Sequence, residues 1–206
     1  MFITFEGIEG SGKTTQLKYI QTHFKRRGQE CIVTREPGGT EIGKKIRSIL
    51  LDPASKNICP VSELFLYLAD RAQHVKELVL PALSAGKTVL CDRFFDATVV
   101  YQGYARGLDV KQILKLHELV LEGLKPDVTI LLDLPADIGL SRAWAQIDNG
   151  KRDDVESRFE KENLTFHKKV RAGYLELARL EPQRFRIIDA TRDENKVRRD
   201  IIDVIS

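Results

Sequence analysis

The sequence predicts an α/β protein built on a parallel sheet, and three observations carry that prediction. Short β-branched or apolar runs recur at 2–5, 31–34, 88–91, 128–132 and 185–188; longer stretches with helical spacing separate them; and the first run leads straight into a glycine-rich turn that opens a helix. Strands that alternate with helices return across the sheet face instead of folding back as hairpins, which makes their order parallel. With 206 residues the chain suits one domain, 1–206, and no linker or internal repeat divides it.

The elements follow in order. Residues 2–5 (Phe-Ile-Thr-Phe) form the first strand. Behind the turn, Leu17, Ile20 and Phe24 share one helical face, and Gly28 is placed to stop that helix. The second strand, 31–34, runs into Arg35-Glu36-Pro37-Gly38-Gly39-Thr40. A helix over 62–85 carries Tyr67 and Arg71 four residues apart, on one face. The third strand, 88–91, ends in Asp92 and Arg93. Asp109, with Gln112 three residues on, reads as a capping box opening a helix with Ile113, Leu116 and Val120 on its apolar side. After the fourth strand the segment 146–157 breaks the pattern: it holds Asn149-Gly150 and a dense charge cluster with almost no apolar residue, and is expected to be a short mobile lid.

Composition narrows the function. Apolar residues are 42% and charged residues 31% of the chain, ordinary for a folded soluble protein, and a net charge of +3 argues for neither a nucleic-acid nor a membrane surface. Cys31, Cys59 and Cys91 are odd in number, widely spaced and form no CxxC pair, so neither a disulfide framework nor a zinc site is indicated. Met1 leads directly into the first strand, and no apolar run approaches the roughly 20 residues needed to span a bilayer, so a cytoplasmic protein is expected.

Gly7-Ile8-Glu9-Gly10-Ser11-Gly12-Lys13-Thr14 matches GxxxxGK[ST] in the strand-then-helix context that the motif needs. Glycines let successive backbone N–H groups turn inward and the helix N-terminus adds its positive dipole end. Lys13 reaches the β and γ phosphates, and Thr14 is placed to ligate Mg²⁺. Asp92, closing an apolar strand, is expected beside that ion and its waters. Glu9 is out of place in a polyphosphate cradle, since a carboxylate there repels the ligand; a sugar hydroxyl of a second substrate is a sensible partner. Arg93 offers a fork-shaped cation for a phosphorylated acceptor, and Tyr67 with Arg71 could stack on and bond a base. The blander readings are a core ring for Tyr67 and a solvated ion pair for Arg71. His23, His74, His117 and His167 are scattered over helices and are assigned no chemistry. A guanine-reading switch would need Asn-Lys-x-Asp, but Asn195-Lys196 runs into Val197-Arg198. A kinase for another small acceptor is the remaining rival.

Segments 5–15, 35–40 (REPGGT), 63–71, 92–93 and 101–107 (YQGYARG) together resemble the bacterial-type thymidylate kinases, over nearly the whole chain. That resemblance implies a P-loop NTPase fold with a five-stranded parallel sheet in the order 2-3-1-4-5, transfer of a phosphoryl group from ATP to dTMP with Mg²⁺, and a homodimer. It implies that Gly7, Glu9, Gly10, Ser11, Gly12, Lys13, Thr14 and Thr15 line the ATP side, that Arg142 packs on adenine, and that Ala190 and Thr191 lie behind the purine. On the acceptor side it places Tyr67 against thymine, Arg71, Thr98 and Gln102 at the base, Tyr101 by the ribose, Glu9 on the 3′-hydroxyl, Arg93 and Arg47 on the phosphate, and Glu36 by the phosphates and metal. Tyr67 stands where relatives commonly carry Phe, and Ala97 where many carry Ser. Because Gly10 and Ser11 occupy the positions where some relatives insert a loop arginine, the resemblance implies the lid-arginine variant, with Arg152 and Arg158 over the moving phosphoryl. The acceptor phosphate is mostly dianionic at neutral pH, its second pKa being about 6, so no general base is required.

Overall fold

The computed structural model describes residues 1–150 and 154–205. Strands β1 (Phe2–Glu6), β2 (Cys31–Arg35), β3 (Thr88–Asp92), β4 (Val128–Asp133) and β5 (Phe185–Asp189) pair in parallel in the order β2-β3-β1-β4-β5, as expected. β1 is buried along its whole length because helices cover both sheet faces, which is why it reads as an unbroken apolar run.

Each strand runs one residue past its apolar stretch, ending in Glu6, Arg35, Asp92, Asp133 and Asp189. The pattern of apolar residues stops at the last core side chain, but ladder pairing continues, with Phe5 and Arg35 both opposite Asp92 and Asp133 opposite Asp189. The added residues are all charged, and they line the carboxyl edge of the sheet, where open α/β sheets bind ligands.

Helix α1 (Lys13–Arg26) buries Leu17, Ile20 and Phe24 and stops at Gly28, whose φ is 71°. Thr40 caps α2 (Glu41–Leu51) by accepting the Gly43 N–H. The helix predicted over 62–85 is α3 (Pro60–His74), a wide π turn (Val75–Val79) and α4 (Leu80–Ser84) in succession. Pro81 has no N–H to give, and the widened turn before it accommodates the break. Helix α5 (Phe95–Thr98) likewise widens into a π turn over Val99–Ala105, then come α6 (Val110–Leu121), α7 (Ala136–Asp148), α8 (Leu164–Leu180) and α9 (Glu194–Ile205).

Asp109 does cap α6, but its carboxylate takes the Lys111 N–H and not that of Gln112, so the cap forms one position earlier than the box predicts. The segment 146–157, expected to be a lid, begins inside a helix, since Gln146 through Asp148 belong to α7. Asp154–Glu156 makes a single 3₁₀ turn, and Ser157 and Arg158 are buried. No helix among the described residues is long and apolar enough to cross a membrane.

Candidate active site

A cleft of about 650 Å³ opens along the carboxyl edge of β2, β3 and β1, with the glycine-rich turn on one side and α2, α3 and the π turn after α5 on the other. On the first side Gly7, Gly10 and Gly12 have φ of 136°, 69° and 92°, a region closed to most side chains. Gly10 is doubly required, because a Cβ there would lie 2.0 Å from the Gly139 carbonyl oxygen of α7. Lys13 folds back over its own loop and donates to the carbonyls of Gly7 and Ile8, both at 2.9 Å, and to Ser11 Oγ at 3.2 Å. Burial and then the nearby Arg93 cation bring its ammonium down to about 8. Thr14 Oγ1 donates to Asp92 Oδ2 at 3.2 Å, so the two residues predicted to share an ion do meet.

Midway along α7, Arg142 donates to the carbonyls of Ala190 and Thr191 at 2.8 and 3.3 Å, which joins that helix to the loop after β5.

The second side is assembled from long-range pairs. Arg93, at the end of β3, takes a left-handed φ of 65°, a strained conformation for a side-chain-bearing residue and one often found at functional sites. It donates to Glu9 Oε1 at 3.0 Å and to the Tyr174 hydroxyl at 3.1 Å and stacks over the Tyr101 ring. Tyr101 also donates to Glu9 Oε1, at 2.6 Å. Burial alone would raise the Glu9 carboxyl, but Arg93, His167 and Lys13 overcome it and hold the group well below the usual carboxylate range. Behind them Glu6 accepts the Phe94 N–H and the Tyr174 hydroxyl, both at 2.7 Å. Burial, reinforced by Asp96, pushes Glu6 up to about 7.

Arg71 is not a solvated residue. It is 1% exposed and donates to Glu36 at 2.7 Å, to Thr98 Oγ1 and His117 Nε2 at 3.0 and 2.9 Å, and to the Phe94 carbonyl at 3.1 Å. A guanidinium only donates, so His117 Nε2 must accept, and its hydrogen therefore sits on Nδ1. Burial and then Arg71 push His117 far below its ordinary value. His74 bridges Glu36 Oε1 and Thr34 Oγ1, each at 2.7 Å. Tyr67 is half-buried with its ring against the cleft, and burial raises its hydroxyl. Gln102 donates to Glu63 at 2.8 Å.

Glu156, inside the segment expected to be a lid, and Arg158, just after it, bear on this side too. Arg47 grips Glu156 with both arms, at 2.8 and 2.7 Å, and the Pro37 carbonyl at 2.9 Å. Arg158 is buried, with its guanidinium on the Leu50 carbonyl and Glu63. Arg152 lies outside the described residues.

The structure thus gathers Glu9, Glu36, Arg47, Tyr67, Arg71, Arg93, Thr98, Tyr101 and Gln102 around one cleft, facing the glycine-rich turn. Sequence analysis missed the buried partners: Glu6, Glu63, His74, His117, His167 and Tyr174. His74, three residues after Arg71 on the same helix face, could have been paired with it by spacing. The others come from distant segments and leave no local signal.

A phosphate cradle at the edge of a parallel sheet, opposed across one cleft by the buried Arg71 and the partly buried Arg47 and Arg93, defines a P-loop phosphotransferase. The family model described as thymidylate kinase matches residues 5–201. A thymidylate kinase of Desulfosudis oleivorans is 57% identical over 190 residues, 92% of this chain and 89% of that protein. One of Desulforapulum autotrophicum is 53% identical over 206 residues, covering 100% and 91%. The crystal structure of thymidylate kinase from Ehrlichia chaffeensis superposes with a TM-score of 0.76 at 33% identity, covering 100% of this chain and 97% of that one. The chain belongs to the thymidylate kinase family and is a kinase.

Proposed function

We propose that the enzyme transfers the terminal phosphoryl group of ATP to dTMP in the cytoplasm, for dTTP synthesis, by aligning two phosphates and neutralising their charge, with no general base. The observation that carries this reading is the opposition of Lys13 and the glycine-rich turn to Arg93 and Arg47 across one cleft. Arg71 would face the base: four of its five N–H groups are spent on Glu36, Thr98, His117 and Phe94, which leaves one for a ligand acceptor. Tyr67 offers a stacking surface beside it, and Tyr101 would crowd a 2′-hydroxyl.

Thr14 and Asp92 fit Mg²⁺. Their oxygens lie together at the mouth of the loop, and no cluster of three or more His, Cys, Asp or Glu that could hold a metal occurs among the described residues, which suits an ion that takes one or two protein oxygens and completes its shell with phosphates and water. The ion would damp the repulsion between the two phosphates. A lid arginine completes the reading; Arg158 would have to leave Glu63 to reach the phosphoryl group, so Arg152 is the simpler candidate. Exposed Val61 and Phe65 of α3 and Leu114 and Leu119 of α6 support a homodimer, which sedimentation would test. The deciding experiment is phosphoryl transfer from ATP to a panel of nucleoside monophosphates. Diphosphate should form fastest from dTMP and faster than from UMP; equal rates would defeat the acceptor assignment.

A further inference from the structure

His167 of α8 is fully buried behind Glu9, and its hydrogen-bonding geometry does not balance if the ring is neutral. Its Nε2 lies 3.0 Å from the Phe159 carbonyl, which can only accept, so Nε2 carries a hydrogen. Nδ1 lies 3.1 Å from Glu9 Oε2, without the alignment of a full hydrogen bond, and neither atom has another partner. A neutral ring would point a bare nitrogen lone pair at a carboxylate oxygen only 3.1 Å away, too close for a water to stand between them. A proton between the two atoms removes that conflict. The other groups facing Glu9 are Tyr101 and Arg93, both on Oε1, and Lys13 on the loop.

We propose that His167 is a positioning residue for acceptor recognition: sharing a proton with Glu9 Oε2, it orients that carboxylate so that Oε1 can accept the sugar 3′-hydroxyl of the monophosphate. This rests on the reading of Glu9 given above. Oε1 is saturated by Tyr101 and Arg93 in the structure. When Arg93 turns to the acceptor phosphate, one lone pair on Oε1 opens for a hydroxyl, while His167 keeps the other oxygen in place from behind. Phe159, whose carbonyl anchors the ring, packs edge-on against Tyr101, so the same small cluster fixes both Glu9 partners.

Two isosteric changes separate this role from packing. Asn at 167 keeps a donor near the Nδ1 position and loses the Phe159 bond; Gln keeps a donor near Nε2 and loses the one facing Glu9. The readout is the ratio of kcat/KM for dTMP to that for 3′-deoxy-dTMP. His167→Gln is expected to lower this ratio by about tenfold, and His167→Asn to preserve most of it. A ratio preserved by Gln and lost with Asn overturns the proposal, because it marks the Phe159 anchor as the whole role. Equal kcat/KM for the two nucleotides in the unmodified enzyme, or a ratio unmoved by Glu9→Gln, removes the Glu9 reading and this proposal with it. A ratio that needs Glu9 but ignores His167→Gln removes the His167 role alone. The ¹⁵N signals of His167 in the unmodified enzyme give a reading that needs no variant: both ring nitrogens should carry hydrogen, and a bare Nδ1 overturns the proposal.

Discussion

The two halves of the cleft are built in opposite ways. The phosphate side is one contiguous turn, residues 7–14, whose lysine is held by carbonyl oxygens of its own loop. The acceptor side is stitched from β1, β3, α2, α3, α6, α8 and the π turn after α5, and its charges are paired in the interior, Arg71 with Glu36, Arg158 with Glu63, and Arg93 with Glu9 of the turn itself, with Arg47 and Glu156 paired at the rim. A contiguous turn can lose its cation without disturbing anything distant. A network of buried pairs cannot, because removing one partner strands the other in a medium that penalises an unpaired charge. Chemistry and stability should therefore be separable on the first side and inseparable on the second.

The largest test of that contrast is Lys13→Ala. Turnover should fall by about a thousandfold or more, in line with the loss of a cation that acts on transferring phosphates, while the denaturation midpoint barely moves. A large loss of stability would erase the distinction. Arg71→Ala should instead cost roughly 3–5 kcal/mol in denaturant titration as well as acceptor use, since Glu36 would stay buried with His74 alone. A fully stable Arg71→Ala variant would show that the network can relax.

Glu6 sharpens the comparison through pH. Its folded value of about 7 lies above that of an exposed carboxylate, so the folded state holds this proton more tightly than the unfolded chain does. The resulting stability is fully present at acid pH and lost as pH rises through 7. Across roughly pH 4.5 to 7.5 the loss is at most about 3 kcal/mol. Glu6→Gln should flatten the unfolding free energy over that window, and an unchanged slope would mean that other groups set it. The smallest effect is expected at the contact between Arg47 and Glu156. Glu156→Gln leaves Arg47 without its carboxylate and should lower KM for dTMP by roughly twofold to fivefold, as befits a partly exposed ion pair. A raised KM would instead assign Glu156 to holding the acceptor.

Much of this was legible from residue order alone, and the reason is locality. The phosphate turn needs glycine, lysine and threonine at set spacings on one stretch of chain, so its chemistry is written contiguously. The strands announce themselves by apolar runs, although their charged last residues escape that signal. The sheet order and the acceptor contacts were expected only through the family resemblance; no spacing rule links Glu9 to Tyr101 or Arg71 to His117, which lie 92 and 46 residues apart.

What the amino-acid sequence determined unaided is the α/β class, the strand cores, the α1 stop at Gly28 and the phosphate cradle, because each depends on residues within a turn or two of one another. Tertiary structure alone decided that Arg71 is buried and not solvated, that three histidines make buried polar contacts, and that Arg158 rests on Glu63. Those outcomes depend on which distant polar group arrives to compensate a charge removed from water, and only the folded chain brings that group into reach.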